Sequence, residues 1–315
     1  MAAKLIISSM VFLIFIFFIR SSTAAFNVIT YGAKPDGKTD ATPSFLRAWK
    51  AACSSVKAST IYVPKGRYLI KEVEFRGPCK SRITLIGFRS SVAPLMLKAL
   101  ASGLAENLAK VAPVGARSIT FNWANNVVIS GLTSINSQLS HLVINSCNNV
   151  MVRNVKLIAP DQSPNTDGIH VQSSTGVTIN GGTLQTGDDC ISIGPALAVS
   201  VRNLNEDGVQ NVTLTNAVFT GTLENPIIID QNYCPNNQGC PRQTSGVKIN
   251  QVTYRNIQGT SATAEAVTFD CSPSNPCKGI RMHNIKLTYL NKAATSSCKY
   301  IDGTSTGVQN PQSCL

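Results

Sequence analysis

Three aspartates that lie close together in the sequence are the residues best suited to carry out chemistry. Asp167 belongs to the segment NTDG at 165–168, and Asp188 and Asp189 belong to the segment GDDC at 187–190. Asp167 and Asp188 are 21 residues apart, and we expect a coiled repeat of that length to stack them on one face. Carboxyl groups gathered around a cleft can donate and accept protons, so the pattern indicates acid–base hydrolysis.

The sequence around these aspartates repeats a polar turn, alternating aliphatic residues, and then Asn or Gly. Copies begin at residues 126, 149, 176, 211, 246 and 279, and the first two are 23 residues apart. Alternation marks strands with one buried face, and a fixed period marks a solenoid. The pattern predicts an all-β fold, a right-handed parallel β-helix, whose turn Asn residues can adopt left-handed backbone geometry. A β-sandwich is the alternative.

Two segments depart from the repeat. Residues 42–52 have the apolar spacing of a helix, and we expect this helix to cap the open N-terminal end of the β-helix core. The regular pattern breaks between about residues 87 and 116, where residues 95–114 form a helix-prone stretch of Ala, Leu and Lys. This stretch does not match the repeats on either side of it.

The N-terminal residues have the order of a secretory signal peptide. Lys4 precedes an apolar run at 5–19, and small residues follow at 21–25. The run is short for a membrane span, which needs about 20 apolar residues, although an uncleaved anchor is the alternative. We therefore expect a signal peptide over residues 1–25, with cleavage near Ala24 or Ala25, and one β-helix domain over 26–315. The mature protein is expected to be secreted and to make no membrane contact.

The net charge of +12 predicts an acidic partner. Nucleic acid is disfavoured because the Lys and Arg residues are scattered, without a basic block or interleaved aromatic residues. A secreted basic protein would instead be attracted to an acidic extracellular polysaccharide.

The ten cysteines indicate disulfides, although their number does not determine the pairing. Local spacing suggests the pairs Cys234–Cys240, Cys271–Cys277 and Cys298–Cys314. Cys53–Cys79 could close the N-terminal segment, which leaves Cys147 and Cys190. Zinc is the competing interpretation, but the sequence has no CxxC pair and no Cys/His cluster, so we expect no metal site. Asn211 begins the only N-glycosylation sequon.

Over most of its length the sequence resembles the plant polygalacturonases, a family of pectin-degrading glycoside hydrolases with the pectin-lyase-like solenoid fold. The resemblance includes FNV at 26–28, YGA at 31–33, SPNTDGIH at 163–170, TGDDC at 186–190 and PIIIDQNYCP at 226–235. The paired aspartate motifs are its most specific part, because the opening segments are shared more widely among β-helix carbohydrate enzymes.

The resemblance implies hydrolysis of α-1,4 links between galacturonic acid residues with inversion at the anomeric carbon. Asp188 matches the proton donor, and Asp167 and Asp189 match the carboxylates that activate water. Tyr233 matches a tyrosine that contacts the sugar, and Asn165 and His141 are the other expected substrate-binding residues. We expect a monomer acting on polygalacturonate or pectin in the cell wall, without a metal or organic cofactor.

The sequence departs from the family in two motifs. It contains neither the Gly-His-Gly motif expected one coil after GDDC nor the Arg-Ile-Lys motif that binds the substrate carboxylate. Lys248 is a poor substitute, because a lysine lacks the bidentate fork of arginine. Two alternatives therefore stay open beside the hydrolase: a protein that binds pectin without cleaving it, and a calcium-dependent pectate lyase on the same fold.

Overall fold

The computed structural model describes residues 23–87, 117–160, 163, 166–193, 209–219, 226–232 and 248–315. These residues form a helix, α1 (Thr42–Cys53), and a succession of mostly short strands. The strands are β1 (Ala24–Asn27), β2 (Asp36–Asp40), β3 (Ser59–Val63), β4 (Arg67–Leu69), β5 (Val73–Arg76), β6 (Ile83–Gly87), β7 (Ile119–Asn122), β8 (Asn125–Ser130), β9 (Thr133–Ile135), β10 (Leu142–Asn145), β11 (Asn148–Ile158), β12 (Ile169–Gln172), β13 (Thr175–Gln185), β14 (Ile191–Ile193), β15 (Val209–Phe219), β16 (Ile227–Asp230), β17 (Ile249–Ser261), β18 (Glu265–Asp270), β19 (Cys277–Tyr289), β20 (Lys292–Ala293), β21 (Thr295–Lys299) and β22 (Ile301–Asn310).

Two large sheets run side by side along the molecule. The eight-stranded sheet has the order β5-β7-β10-β12-β14-β16-β18-β21, and the twelve-stranded sheet contains the path β1-β3-β6-β8-β11-β13-β15-β17-β19. Both consist of parallel pairs, apart from β20, which pairs antiparallel with β19. Each coil passes through one sheet and then the other before it returns one strand further along. The predicted right-handed parallel β-helix is confirmed.

Inward side chains of equivalent positions stack from coil to coil and form a continuous core. In the twelve-stranded sheet one such row runs through Val127, Val150, Val177, Val212, Val252 and Ile280, all at most 2% exposed. Full burial of one such side chain contributes about 1.5–3 kcal/mol. The alternation in the sequence arises because these residues face the core while their neighbours face solvent.

Asparagines occupy turn positions whose backbone is left-handed, as the sequence predicts. Asn154, Asn216, Asn256 and Asn284 all have φ between 52° and 54°, where bulkier residues are strained. Their side chains also connect coils, since Asn256 Nδ2 donates to Asn216 Oδ1 at 3.0 Å and Asn284 Nδ2 donates to Asn256 Oδ1 at 3.1 Å. The asparagines therefore accept the left-handed backbone conformation of the turns and also form hydrogen bonds between coils.

The predicted N-terminal helix is confirmed and covers one end of the core. Its buried face includes Phe45, Ala48, Trp49 and Ala52. The Trp49 ring stacks on Phe75 of β5 with the ring centroids 4.7 Å apart, and its Nε1–H donates to the Arg76 carbonyl oxygen at 2.9 Å. The helix thus shields the first coils from water while the indole N–H of Trp49 is satisfied.

Three predicted disulfides are confirmed, namely Cys53–Cys79, Cys271–Cys277 and Cys298–Cys314. Cys147 and Cys190 are free thiols in the core, as expected. The predicted Cys234–Cys240 pair and the helix-prone stretch at 95–114 lie outside the described residues. Residues 1–22 of the predicted signal peptide also lie outside them. No helix among the described residues is long and apolar enough to cross a membrane.

Candidate active site

The three aspartates lie in the turns that lead into two neighbouring strands of the eight-stranded sheet. Asp167 precedes β12, whereas Asp188 and Asp189 precede β14. The two strands pair in parallel with a register offset of 22 residues, from Ile169 opposite Ile191. Asp167 therefore lies opposite Asp189.

This register corrects the expectation that Asp167 and Asp188 stack directly, which is wrong by one residue. Thr166 lies opposite Asp188 instead. Successive residues of an extended chain present their side chains to different sides. We therefore expect the side chain of Asp188 to point to a different side from that of Asp189, the residue opposite Asp167. All three carboxyl groups still lie at one edge of the same sheet, on adjacent coils.

The glycines of the two motifs allow the coils to approach closely. The Gly168 N–H donates to the Asp189 carbonyl oxygen at 2.8 Å. A Cβ atom on Gly168 would lie 2.6 Å from Leu184 Cδ2 and under 3.0 Å from the Cys190 carbonyl oxygen. Gly187 is equally confined by the backbone of Ser163. Any larger residue at either glycine would force apart the backbone segments that carry the carboxyl groups.

Two fully buried threonines fix the turns that carry the aspartates. Thr166 Oγ1 donates to the Ser163 carbonyl oxygen at 2.7 Å and accepts from the Gly187 N–H at 3.2 Å. Thr186 Oγ1 donates to the Asp188 carbonyl oxygen at 3.0 Å. The Asp189 N–H in turn donates to Asp188 Oδ1 at 3.0 Å. These hydrogen bonds between side chains and backbone therefore hold the two turns in place where regular sheet hydrogen bonds are missing.

Asp167, Ser192 and His170 form a hydrogen-bonded chain on the outer face of the sheet. Ser192 Oγ donates to Asp167 Oδ2 at 2.5 Å, and His170 Nδ1 lies 2.6 Å from Ser192 Oγ. Because the serine hydrogen points to the carboxylate, the Nδ1–H of the imidazole donates to the serine oxygen. Burial lowers the pKa of His170, although the charge of Asp167 opposes this shift. On its other side, His170 Nε2 lies 3.2 Å from Gln172 Oε1, which is an acceptor.

His141, an expected substrate-binding residue, is buried inside the coil and presents no surface to a substrate. It is 0% exposed, its Nδ1 lies 2.8 Å from Ser134 Oγ, and its Nε2 has no hydrogen-bond partner among the described residues. Burial lowers the pKa of His141 to about 3, so the ring is neutral at ordinary pH. Its backbone N–H donates to the Asp167 carbonyl oxygen at 2.8 Å, so His141 lies on the coil that precedes Asp167.

The other two expected substrate-binding residues, Asn165 and Tyr233, lie outside the described residues. Ser192 is a site residue that the motifs did not identify. Its signal was present, because the alternation Ile191-Ser192-Ile193 places Ser192 on the outer face next to His170 of the preceding strand. Within the described ranges, no group of three or more His, Cys, Asp or Glu residues is arranged to hold a metal ion.

Comparison with known proteins gives consistent matches over nearly the whole chain. A sequence model of the glycosyl hydrolases family 28 matches residues 101–208 and 205–314. A polygalacturonase from Prunus persica is 41% identical, with 96% of this chain and 97% of that protein covered. A polygalacturonase from Gossypium hirsutum is 32% identical, with 100% and 97% covered.

The alignment with the Prunus persica protein also shows that this chain is shorter. It extends over 382 positions, whereas 96% of the 315 residues of this chain is about 302. About 80 positions therefore face no residue of this chain, which is the length of several coils.

The fold has a counterpart among solved structures. A hyperthermoactive exopolygalacturonase from Thermotoga maritima superposes with a TM-score of 0.50 at 15% identity, with 90% of this chain and 92% of that chain covered. At that identity the likeness shows the fold alone, and a fold by itself does not specify a reaction.

Proposed function

Because this chain belongs to glycosyl hydrolase family 28, we propose that it hydrolyses the α-1,4 bonds between galacturonic acid residues of pectin. One observation carries the proposal: Asp167 and Asp189 lie opposite each other on adjacent coils, with Asp188 next to them in the same turn. This arrangement supplies both an acid and a base at one edge of the eight-stranded sheet.

In the proposed reaction Asp188 is the acid. It gives its proton to the glycosidic oxygen, and the electron pair of the breaking C1–O bond moves to that oxygen, which leaves as a hydroxyl group. A water molecule attacks the anomeric carbon from the opposite face, and its proton passes to Asp167 or Asp189. The product has inverted configuration and one new reducing end. Exchange with solvent then restores both protonation states.

Ser192 and His170 position the base rather than touch the substrate. Ser192 Oγ donates to Asp167 Oδ2, and in this proposal the attacking water binds the other oxygen of Asp167, Oδ1. The imidazole of His170 keeps the serine hydrogen directed at the carboxylate by donating to the serine oxygen. A carboxylate held in one orientation loses less freedom when it binds water.

We expect Ser192→Ala to lower kcat on polygalacturonate about 10- to 100-fold, because Asp167 loses the donor that orients it. KM should change less, since Ser192 does not contact the sugar in this proposal. Initial rates of reducing-end release check both values. Ser297→Ala is the matched control, because Ser297 occupies the same outward row three strands further along. Equal losses in the two variants would contradict the positioning role.

The reaction needs no histidine at the step that breaks the bond. The sequence has no Gly-His-Gly and no Arg-Ile-Lys segment, and this proposal gives none of the three histidines a role in the bond-breaking step. His141 is buried in the core, His170 acts through Ser192, and His283 lies on β19 of the other sheet, 2.8 Å from Thr306 Oγ1. The proposal therefore assigns both proton transfers to the aspartates.

The test of the reaction class is a digest of polygalacturonate followed by two measurements. A reducing-sugar assay is expected to show new ends, and proton NMR of the first products is expected to show the inverted anomer. Products with a strong ultraviolet absorbance that form only with calcium would identify a lyase instead. Binding to polygalacturonate without any new ends, even at high protein concentration, would identify a protein that binds pectin without cleaving it.

The setting of this activity follows from the same proposal. We assign the protein to the plant cell wall after removal of residues 1–25, acting as a monomer formed by one β-helix domain over 26–315. Its net charge of +12 supports attraction to a carboxylate-rich polysaccharide. Nucleic acid, a membrane and a bound cofactor have no part in this proposal.

A further inference from the structure

An exposed tryptophan follows the second strand of the eight-stranded sheet in a strained backbone conformation. Trp123 has φ 51° and is 47% exposed. Positive φ is unfavourable for a bulky side chain, and exposure of a large aromatic ring gains nothing for folding. Tyr300 is also exposed at positive φ, so the argument for a role of Trp123 rests on the residues around it.

The equivalent turns of the next coils show what the fold alone requires. Asn122 and Asn145 are register partners, so Trp123 corresponds to Ser146, and one coil further to Ser173. These serines have φ 52° and 44°. The turn therefore accepts a small polar residue, and nothing in its geometry calls for an indole ring.

Arg76 lies over the Trp123 ring, with its guanidinium carbon 4.9 Å from the ring centroid. Its Nε and Nη2 donate to Glu74 Oε1 at 3.1 and 2.9 Å. Its carbonyl oxygen accepts the Trp49 Nε1–H at 2.9 Å, which holds the backbone at this point. The Arg76 side chain is 62% exposed, and its Nη1 has no hydrogen bond among the described residues. A cation and an aromatic face are thus presented together.

A row of polar side chains connects this pair to the aspartates. Arg76, Asn122, Asn145 and Gln172 occupy the same outward position on four successive strands, and neighbouring strands lie about 4.7–4.9 Å apart. Asn145 Nδ2 donates to Asn122 Oδ1 at 2.5 Å. On the fourth strand, Gln172 Oε1 lies 3.2 Å from His170 Nε2. Amide groups at this spacing can bond to the hydroxyl groups of successive sugars.

The charge on this row differs between the two ends of the molecule. Beyond the aspartates, the same outward position is filled by Asp230 and Asp270, and Lys299 is paired with Asp270 at 3.3 Å. Burial raises the pKa of Asp230, although it remains an acidic group facing an acidic polymer. A carboxylate of an anionic chain can bind Arg76, which is also paired with Glu74, whereas Asp230 and Asp270 would repel it.

We propose that Trp123 and Arg76 form a remote subsite for one galacturonic acid residue of the polymer. The apolar face of the sugar ring would lie on the indole, and its carboxylate would bind the guanidinium. The polymer would continue along the amide row to the aspartates. This inference rests on the proposed substrate, and it makes Trp123 and Arg76 residues that favour long acidic chains over short or neutral ones.

The test measures binding without turnover. Migration of the full chain is compared in native gels that contain polygalacturonate, fully methyl-esterified pectin or no polymer. Trp123→Ser and Arg76→Gln are each expected to weaken affinity for polygalacturonate about fivefold. Trp123→Ser reproduces the residue that the next two coils carry at this turn, so it should keep the thermal unfolding midpoint.

Tyr300→Ser is the matched control. Tyr300 follows Lys299 as Trp123 follows Asn122, and it is also exposed with φ 48°. It lies at the acidic end of the row, so its loss should leave the affinity unchanged. Unaltered affinity in Trp123→Ser, or an equal loss in Tyr300→Ser, would overturn the inference. A chain that is retarded by polygalacturonate but releases no reducing ends would refute the hydrolase proposal, while the Trp123 comparison would still decide this one.

Discussion

Asp188→Asn is expected to lower kcat on polygalacturonate by about 10²- to 10⁴-fold, the range over which general acid catalysis contributes. The amide has nearly the shape of the carboxyl group but has no acidic proton for the leaving oxygen. KM should change little, because the substitution removes an interaction made mainly in the transition state. Initial rates over a range of polygalacturonate concentrations separate the two values.

Asp302→Asn is the control for the loss of one negative charge. Asp302 is exposed on β22 in the last coils, far along the solenoid from the aspartate turns. It should leave kcat at the wild-type value, because only the long-range attraction for the polymer changes. Activity that survives in Asp188→Asn at the wild-type level would remove Asp188 from the catalytic role and return the assignment to Asp167 or Asp189.

Gly168→Ala is expected to reduce kcat by about 100-fold, because its new Cβ must displace the backbone that carries Asp189. The added atom would lie under 3.0 Å from the Cys190 carbonyl oxygen. Overpacking of this kind also costs about 1–3 kcal/mol of stability. Initial rates and urea unfolding together distinguish a displaced active site from a chain that is partly unfolded.

Gly303→Ala provides the same clash at a distance from the aspartates. Its Cβ would lie under 3.0 Å from the Ile280 carbonyl oxygen, between β19 and β22. A similar loss of stability with normal kcat is expected there. If both variants lost stability equally and both kept full activity, the spacing between the coils at Gly168 would not matter for catalysis.

The repeat was predictable from the sequence because every coil of a parallel β-helix has the same local requirements. Inward residues such as Val150 and Val177 must be apolar to fill the core, and turn residues such as Asn154 must accept positive φ. Each requirement acts within a few residues of the chain, so it leaves a periodic trace in the sequence. The capping helix at Thr42–Cys53 left its own trace through helical spacing.

The register between coils was not predictable from the motifs alone. A separation of 21 residues between Asp167 and Asp188 suggested direct stacking, but the hydrogen bond from Gly168 to Asp189 sets the offset at 22. The number of residues in a turn decides this offset, and turns vary in length without disturbing the strands. A shift of one residue changes which side chains face each other.

The sequence by itself determined the solenoid, the capping helix and the set of aspartates, because each depends on residue type and local spacing. The tertiary structure alone decided that Asp167 faces Asp189, that Ser192 and His170 orient Asp167, and that His141 lies inside the coil. Only the tertiary structure also shows that Arg76 lies over the ring of Trp123, which is 47 residues further along the chain. Such contacts join residues a coil or more apart, and they form only when the inter-strand hydrogen bonds fix the register of the coils.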